Sequence, residues 1–156
     1  MPPRVIFVCT GNTCRSPMAA AIARRLFAAA GLEAEVRSAG VAAAEGAPAS
    51  AHARFVVSDR SGDRELERHA SHSLARSGVE DASLVIAMTR AHQRAARAQL
   101  GDAVDRVVTL GELAGAEEIE VQDPFGGEVE TYEKTYEQIE ALLSRALPAI
   151  ARRLGV

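Results

Sequence analysis

The chain has 156 residues, 47% of them apolar, and a formal net charge of -3. That length supports one domain with a real core, and that charge excludes a general attraction to nucleic acid or an anionic membrane. No stretch approaches the ~20 apolar residues of a membrane span, Met1-Pro2-Pro3-Arg4 lacks the order of a signal peptide, and the two cysteines fall in one short segment, so the expectation is a cytoplasmic protein without a disulfide framework.

In chain order, Val5-Ile6-Phe7-Val8-Cys9 is continuously apolar, which suits a strand buried on both faces. A short loop follows, and Ser16-Pro17 then opens an alanine-rich helix over 17–30. Serine is a favoured N-cap, and proline suits the first helical position because its missing N–H would be unpaired anyway. Met18, Ile22, Leu26 and Ala29 make the predicted buried stripe, and Gly31 the stop. A weaker strand is expected over 33–39, a helix within 47–57 and a solvated loop over 58–64. Two more strands are expected over 84–88 and 106–110. The last helix starts near Glu130, with Tyr132, Tyr136, Ile139, Leu143, Leu147 and Ile150 at helical spacing. At that spacing the tyrosines read as packing residues before cleft or phosphorylation sites. Pro148 should kink this helix or end its regular part.

Helical patterns separate the four strands, as βα units require. The expected fold is therefore α/β: a single domain over 1–156, with an open twisted parallel sheet of four strands and helices on both faces. Ligands of such sheets bind beyond the C-terminal ends of the strands, where Cys9 falls.

The loop Thr10-Gly11-Asn12-Thr13-Cys14-Arg15-Ser16 then reads as a phosphate-binding loop. Its backbone N–H groups and the helix N-terminus make an anion site. Arg15 adds a planar fork that matches two phosphate oxygens. A thiolate at Cys9 facing this ring describes a cleaver of phosphate esters or phosphoramidates. The bland alternative for Cys9 is a buried cysteine at a strand end. A metal alternative, Cys9 and Cys14 with His69 and His72, lacks a C-x2-C knuckle and would set Arg15 beside the ion, so no metal is expected. Ser16 can cap the helix and also donate to Cys9. Asn12 suits a strained loop because asparagine tolerates left-handed backbone.

Cys9, five intervening residues, Arg15 and Ser16 form a C-x5-R-S loop at the N-terminus, followed by Ser38-Ala39-Gly40, Met88-Thr89 and Asp123-Pro124-Phe125-Gly126-Gly127. This set resembles the low-molecular-weight protein phosphatases over nearly the whole chain. The resemblance implies catalysis by Cys9, Arg15 and Asp123 through a phosphocysteine intermediate, without a cofactor, on phosphorylated proteins, with inorganic phosphate released. It makes Asp123 the general acid, and the base in the second step. Composition alone would leave Asp123 as a turn residue. Ser38 matches a serine that supports the loop asparagine in the family, and His69 is the candidate for the histidine that does the same. Cys14 is either a small packing residue or the partner of Cys9 in a reversible, protective disulfide.

Within the family, tyrosine phosphatases usually carry an aliphatic residue, often isoleucine, at the position of Thr13. Those resembling protein arginine phosphatases carry threonine within the same C-T-G-N-T-C-R-S-P run seen here. A guanidinium has N–H donors that a hydroxyl can accept, whereas a phenyl ring needs apolar contact. Phe125 can stack on the guanidinium plane. Phosphoarginine is thus the expected substrate, ahead of phosphotyrosine. An arsenate reductase usually needs a downstream cysteine pair, and no cysteine follows Cys14. A non-catalytic anion-binding module would not need Asp123.

Overall fold

The structure is a computed structural model that describes residues 2–76 and 79–156, the side chains of 76 and 102–104 excepted. Strands β1 (Arg4–Cys9), β2 (Glu35–Gly40), β3 (Leu84–Ala87) and β4 (Val107–Thr109) form one sheet in the order β2-β1-β3-β4. All three pairings are parallel, with Cys9 opposite Gly40 and Val8 opposite Ala87. Helices α1 (Arg15–Ala30), α2 (Ala51–Ser61), α3 (Arg90–Leu100), α4 (Leu110–Leu113) and α5 (Val129–Leu154) complete the layers.

Alternation along the central strands divides the core in two. Val5, Phe7 and Cys9, with Leu84 and Ile86, face the larger cluster against α1, α2 and α5. Ile6 and Val8, with Val85, Ala87 and Val107, face Leu74, Ala82 and Ala96 on the other side. Both faces of β1 are therefore dry, and its continuous apolar run is what a parallel sheet covered on both sides requires. The α/β architecture with helices on both faces stands as the sequence predicts.

Several element details differ. Helix α1 begins at Arg15 and is wholly buried through Ala23; further along it buries Phe27, while Leu26 is half-buried and Ala29 exposed. Both phases fit a 3.6-residue period in an alanine-rich segment, and the larger Phe27 side chain sets the rotation. Gly31 does stop the helix, at φ 69°, and Leu32 N–H returns to the Phe27 carbonyl at 2.9 Å. Residues 58–61, expected in a loop, extend α2, which Ser50 caps through the Ala53 N–H and Gly62 ends at φ 75°. Their polar side chains occupy the outer face while Val56 and Val57 turn inward. Strand β2 starts two residues later than expected, and β4 ends at Thr109, whose hydroxyl caps α4. Helix α5 runs through Pro148 to Leu154. Pro148 and Ser144 are both exposed, so water can serve the Ser144 carbonyl that the proline leaves unpaired.

The phase of α1 can be tested by truncation. Phe27→Ala should cost about 3–5 kcal/mol in urea-induced unfolding, and Leu26→Ala less than half as much. The opposite order would restore the stripe expected from spacing alone.

Candidate active site

The loop after β1 turns its carbonyls outward. Cys9 C=O accepts from Val41 N–H (2.9 Å), Thr10 C=O from Ala42 N–H (3.0 Å), Thr13 C=O from Ser50 N–H (2.9 Å) and Cys14 C=O from Met18 N–H (3.1 Å). The Asn12 carbonyl accepts from His69 Nε2 at 2.7 Å. No peptide among the described residues is cis, so the N–H that follows each outward carbonyl points the opposite way, into the loop. The N–H groups of Thr10, Gly11, Thr13, Cys14 and Arg15 thus turn inward beside the N-terminus of α1, an arrangement of backbone that can hold an anion.

Asn12 holds this shape. It is the sole non-glycine residue at positive φ among those described (59°), and it is fully buried. Its Nδ2 donates to Ser16 Oγ and Ser38 Oγ, each at 2.9 Å, and its Oδ1 accepts from His72 N–H at 2.9 Å. Ser38 and His69 both lie against Asn12, one on its side chain and one on its carbonyl. His72 reaches Asn12 through its backbone, while its ring faces Glu45. Gly40 lets β2 come close here: a Cβ on it would collide with the Thr10 carbonyl. Among the described residues, no three His, Cys, Asp or Glu side chains are placed to hold a metal ion.

Ser16 does not cap α1. The N-cap position is Cys14, without a side-chain cap, and the Ser16 hydroxyl turns instead toward Cys9 Sγ at 3.0 Å, with the Ala39 carbonyl at 3.3 Å. A hydroxyl already receiving from Asn12 has one proton to give, and both the Ala39 carbonyl and a Cys9 thiolate lie within its reach. Cys9 and Cys14 are free and buried. Cys14 Sγ is engaged by Ser50 Oγ (3.5 Å) and Tyr132 OH (3.4 Å). Burial and the Cys14 contact push the Tyr132 hydroxyl up to about 12.

Arg15 is 6% exposed. Its Nη1 donates to the Val121 carbonyl at 3.1 Å, and its Nη2 lies 3.5 Å from Asp123 Oδ2. The Asp123 side chain is 58% exposed, and its other oxygen accepts from Phe125 N–H at 3.0 Å. Asp123 therefore makes a turn and also presents a carboxylate to the cleft. Cys9, Thr10, Gly11, Thr13, Cys14, Arg15, Asp123 and Phe125 line a cleft of about 260 Å³. Phe125, 76% exposed, stands at its mouth.

The fold agrees with that of known proteins. The description "Low molecular weight phosphotyrosine protein phosphatase" matches residues 4–154. The chain belongs to that family. A protein-arginine-phosphatase of Geobacillus stearothermophilus is 39% identical to this phosphatase over 145 residues, covering 93% of this chain and 94% of its own. A low molecular weight protein tyrosine phosphatase from T. tengcongensis superposes with a TM-score of 0.87 at 40% identity, covering 94% of this chain and 99% of its own. A cysteine-to-serine variant of the arginine phosphatase YwlE, solved with a phosphorylated active-site serine, superposes at a TM-score of 0.86 and 39% identity, covering 97% of this chain and 99% of its own. Among the described residues, no helix of this phosphatase is long and apolar enough to cross a membrane.

Sequence reasoning missed His92. It is buried, near the N-terminus of α3, with Nδ1 2.9 Å from Thr89 Oγ1 and Nε2 2.8 Å from Thr10 Oγ1. The Thr89 hydroxyl also accepts the His92 N–H at 3.1 Å as the cap of α3. A threonine closing an apolar run, with histidine three residues on, was the available signal. Burial first, and then the Arg15 charge, push His92 down to about 4; burial also lowers His69, against the opposing pull of the Asn12 carbonyl.

These shifts set a stability window. Both imidazoles resist protonation in the folded state relative to an ordinary value of 6.5. Their contribution is whole above about 6.5 and is lost as pH falls from there toward the lowered folded values, about 4 for His92. Chemical unfolding across that window should show His92→Gln losing stability with acid more gradually than wild type. Parallel slopes for the two proteins would mean that His92 charges as easily folded as unfolded.

Proposed function

We propose that this protein is a phosphatase that removes phosphate from arginine side chains of proteins, through a phosphocysteine intermediate. The observation that carries the substrate assignment is Thr13, whose residue lines the cleft together with Cys9, Asp123 and Phe125. Its hydroxyl offers an acceptor to a guanidinium N–H, and the similarity to a protein-arginine-phosphatase supports the same reading.

In this mechanism the Cys9 thiolate, steadied by the Ser16 hydroxyl, attacks phosphorus. A P–S bond forms and the P–N bond breaks. The inward N–H groups and Arg15 hold the phosphoryl oxygens, where preorganised donors stabilise developing charge. Arg15 exchanges its Asp123 contact for substrate, and the released, solvent-exposed carboxylate takes up a proton from water and delivers it to the leaving nitrogen. The guanidinium departs, and Asp123 then takes a proton from the water that attacks the phosphocysteine. Inorganic phosphate leaves and the thiolate returns. The phosphorylated serine in the YwlE variant supports covalent transfer at the equivalent loop. No nucleic-acid or membrane partner enters this reading. Two buried free thiols beside the phosphate site suit a reducing compartment, which favours the cytoplasm. The second reading, a tyrosine phosphatase, draws on the T. tengcongensis relative.

Asp123→Asn should slow turnover about 10²–10⁴-fold, most for poor leaving groups, in steady-state assays. No change on any substrate would leave Asp123 as a turn residue alone.

The substrate assignment is tested by kcat/KM on phosphoarginine and phosphotyrosine peptides for wild type and Thr13→Ile. Wild type should favour phosphoarginine. The substitution leaves a buried N–H donor unpaired at a cost of about 1–3 kcal/mol, so phosphoarginine turnover should drop about ten- to hundredfold. Phosphotyrosine turnover should hold or rise, because the ring gains apolar contact. A wild-type preference for phosphotyrosine would overturn the arginine assignment.

A further inference from the structure

The cleft carries a second hydroxyl that the phosphate chemistry does not use. Thr10 contributes its backbone to the anion site, yet its side chain is exposed, lines the same cleft as Thr13, and meets His92 Nε2 at 2.8 Å. Gly11 and Asn12 separate the two threonines in sequence; Gly11 carries no side chain, and Asn12 is fully buried, bonded to Ser16 and Ser38.

Arginine has five N–H donors, and phosphorylation replaces one of them. The remainder must find acceptors once the group is enclosed, because an unmet donor is costly. Asp123 serves the nitrogen that leaves phosphorus, and Thr13 serves one further donor. We propose that Thr10, held by His92, is a second acceptor for the guanidinium and so a specificity-determining residue for this site, an inference that rests on the phosphoarginine reading above. A hydroxyl oxygen has two lone pairs. Whether Thr10 donates to His92 or accepts from it, at least one lone pair remains for the substrate.

His92 acts through Thr10 and is a positioning residue. Its ring is fixed at both nitrogens, by Thr89 Oγ1 and by Thr10 Oγ1. This fastens the Thr10 rotamer to the wall of the cleft. Burial and the Arg15 charge also keep the ring neutral, with Asp123 and Glu120 pulling the other way. A neutral ring behind Thr10 does not repel an arriving cation. A phenyl ring has no N–H to satisfy, so an aryl phosphate draws nothing from this pair.

The test is the ratio of kcat/KM on a phosphoarginine peptide to kcat/KM on an aryl phosphate, measured for wild type, Thr10→Val, Thr10→Ser and His92→Phe. Valine keeps the branched shape without the hydroxyl, and its ratio should fall about ten- to hundredfold. Serine keeps the hydroxyl and should restore most of the ratio. Phenylalanine fills the histidine space without holding Thr10, and its ratio should fall several-fold. If Thr10→Val lowers both activities equally, or neither, Thr10 only supports the loop and the proposal is overturned. Should the valine variant fail to fold, the same ratio in His92→Phe decides, and an unchanged ratio there overturns it. A wild type inactive on phosphoarginine overturns the substrate reading itself, which is separate from a wild type that prefers phosphoarginine and a valine variant that keeps the preference.

Discussion

The structure depends on one buried asparagine held in a left-handed conformation. Asn12 at φ 59° costs about 1–3 kcal/mol of backbone strain, and such strain persists only where the surroundings over-determine it. Here they do. Its side chain makes three hydrogen bonds, and its carbonyl makes a fourth to His69. The bonds come from α1, from β2 and from the 69–72 segment, so three separate parts of the chain must be in place before the loop closes. What they secure is a set of inward N–H groups, each facing away from an outward carbonyl that accepts a hydrogen bond from elsewhere in the chain. An anion site made this way needs no adjustment when charge arrives.

The same constraint explains why functional and structural roles fall on the same atoms. Ser16 would be a cap by its chemistry, but its hydroxyl receives from Asn12 and turns to Cys9. Helix α1 therefore begins uncapped by any side chain, and its free N-terminal N–H groups remain available to a bound oxyanion. Asp123 accepts the Phe125 N–H with one oxygen and faces Arg15 with the other. A turn bond and a carboxylate facing the cleft are compatible there, because each uses a different oxygen.

Much of this was legible in the chain because the strongest signals were local. The run into Cys9, the spacing to Arg15 and the alternation of helix and strand signals needed no tertiary information. The parallel sheet then put Cys9 at a C-terminal strand end. What stayed hidden depended on phase or distance. Alanine enrichment in α1 left two rotations nearly equal, and only packing chose Phe27 over Leu26. The Ser16 cap failed because a tertiary bond from Asn12 outcompeted the local rule. His92 lies 82 residues from its partner Thr10, beyond the reach of spacing rules.

A net charge of -3 gives no general attraction for an anion, and the site supplies that attraction locally. Attraction comes from aligned backbone dipoles and one buried guanidinium, which act at short range and need no basic surface. An acidic exterior leaves that field undisturbed, because Arg15 is screened from solvent and pairs with Asp123 and the Val121 carbonyl. Discrimination among phosphorylated residues then cannot come from phosphate affinity, since every substrate brings the same phosphate. On the reading proposed above it comes from the lining of the cleft, to which Thr10, Thr13 and Phe125 all contribute.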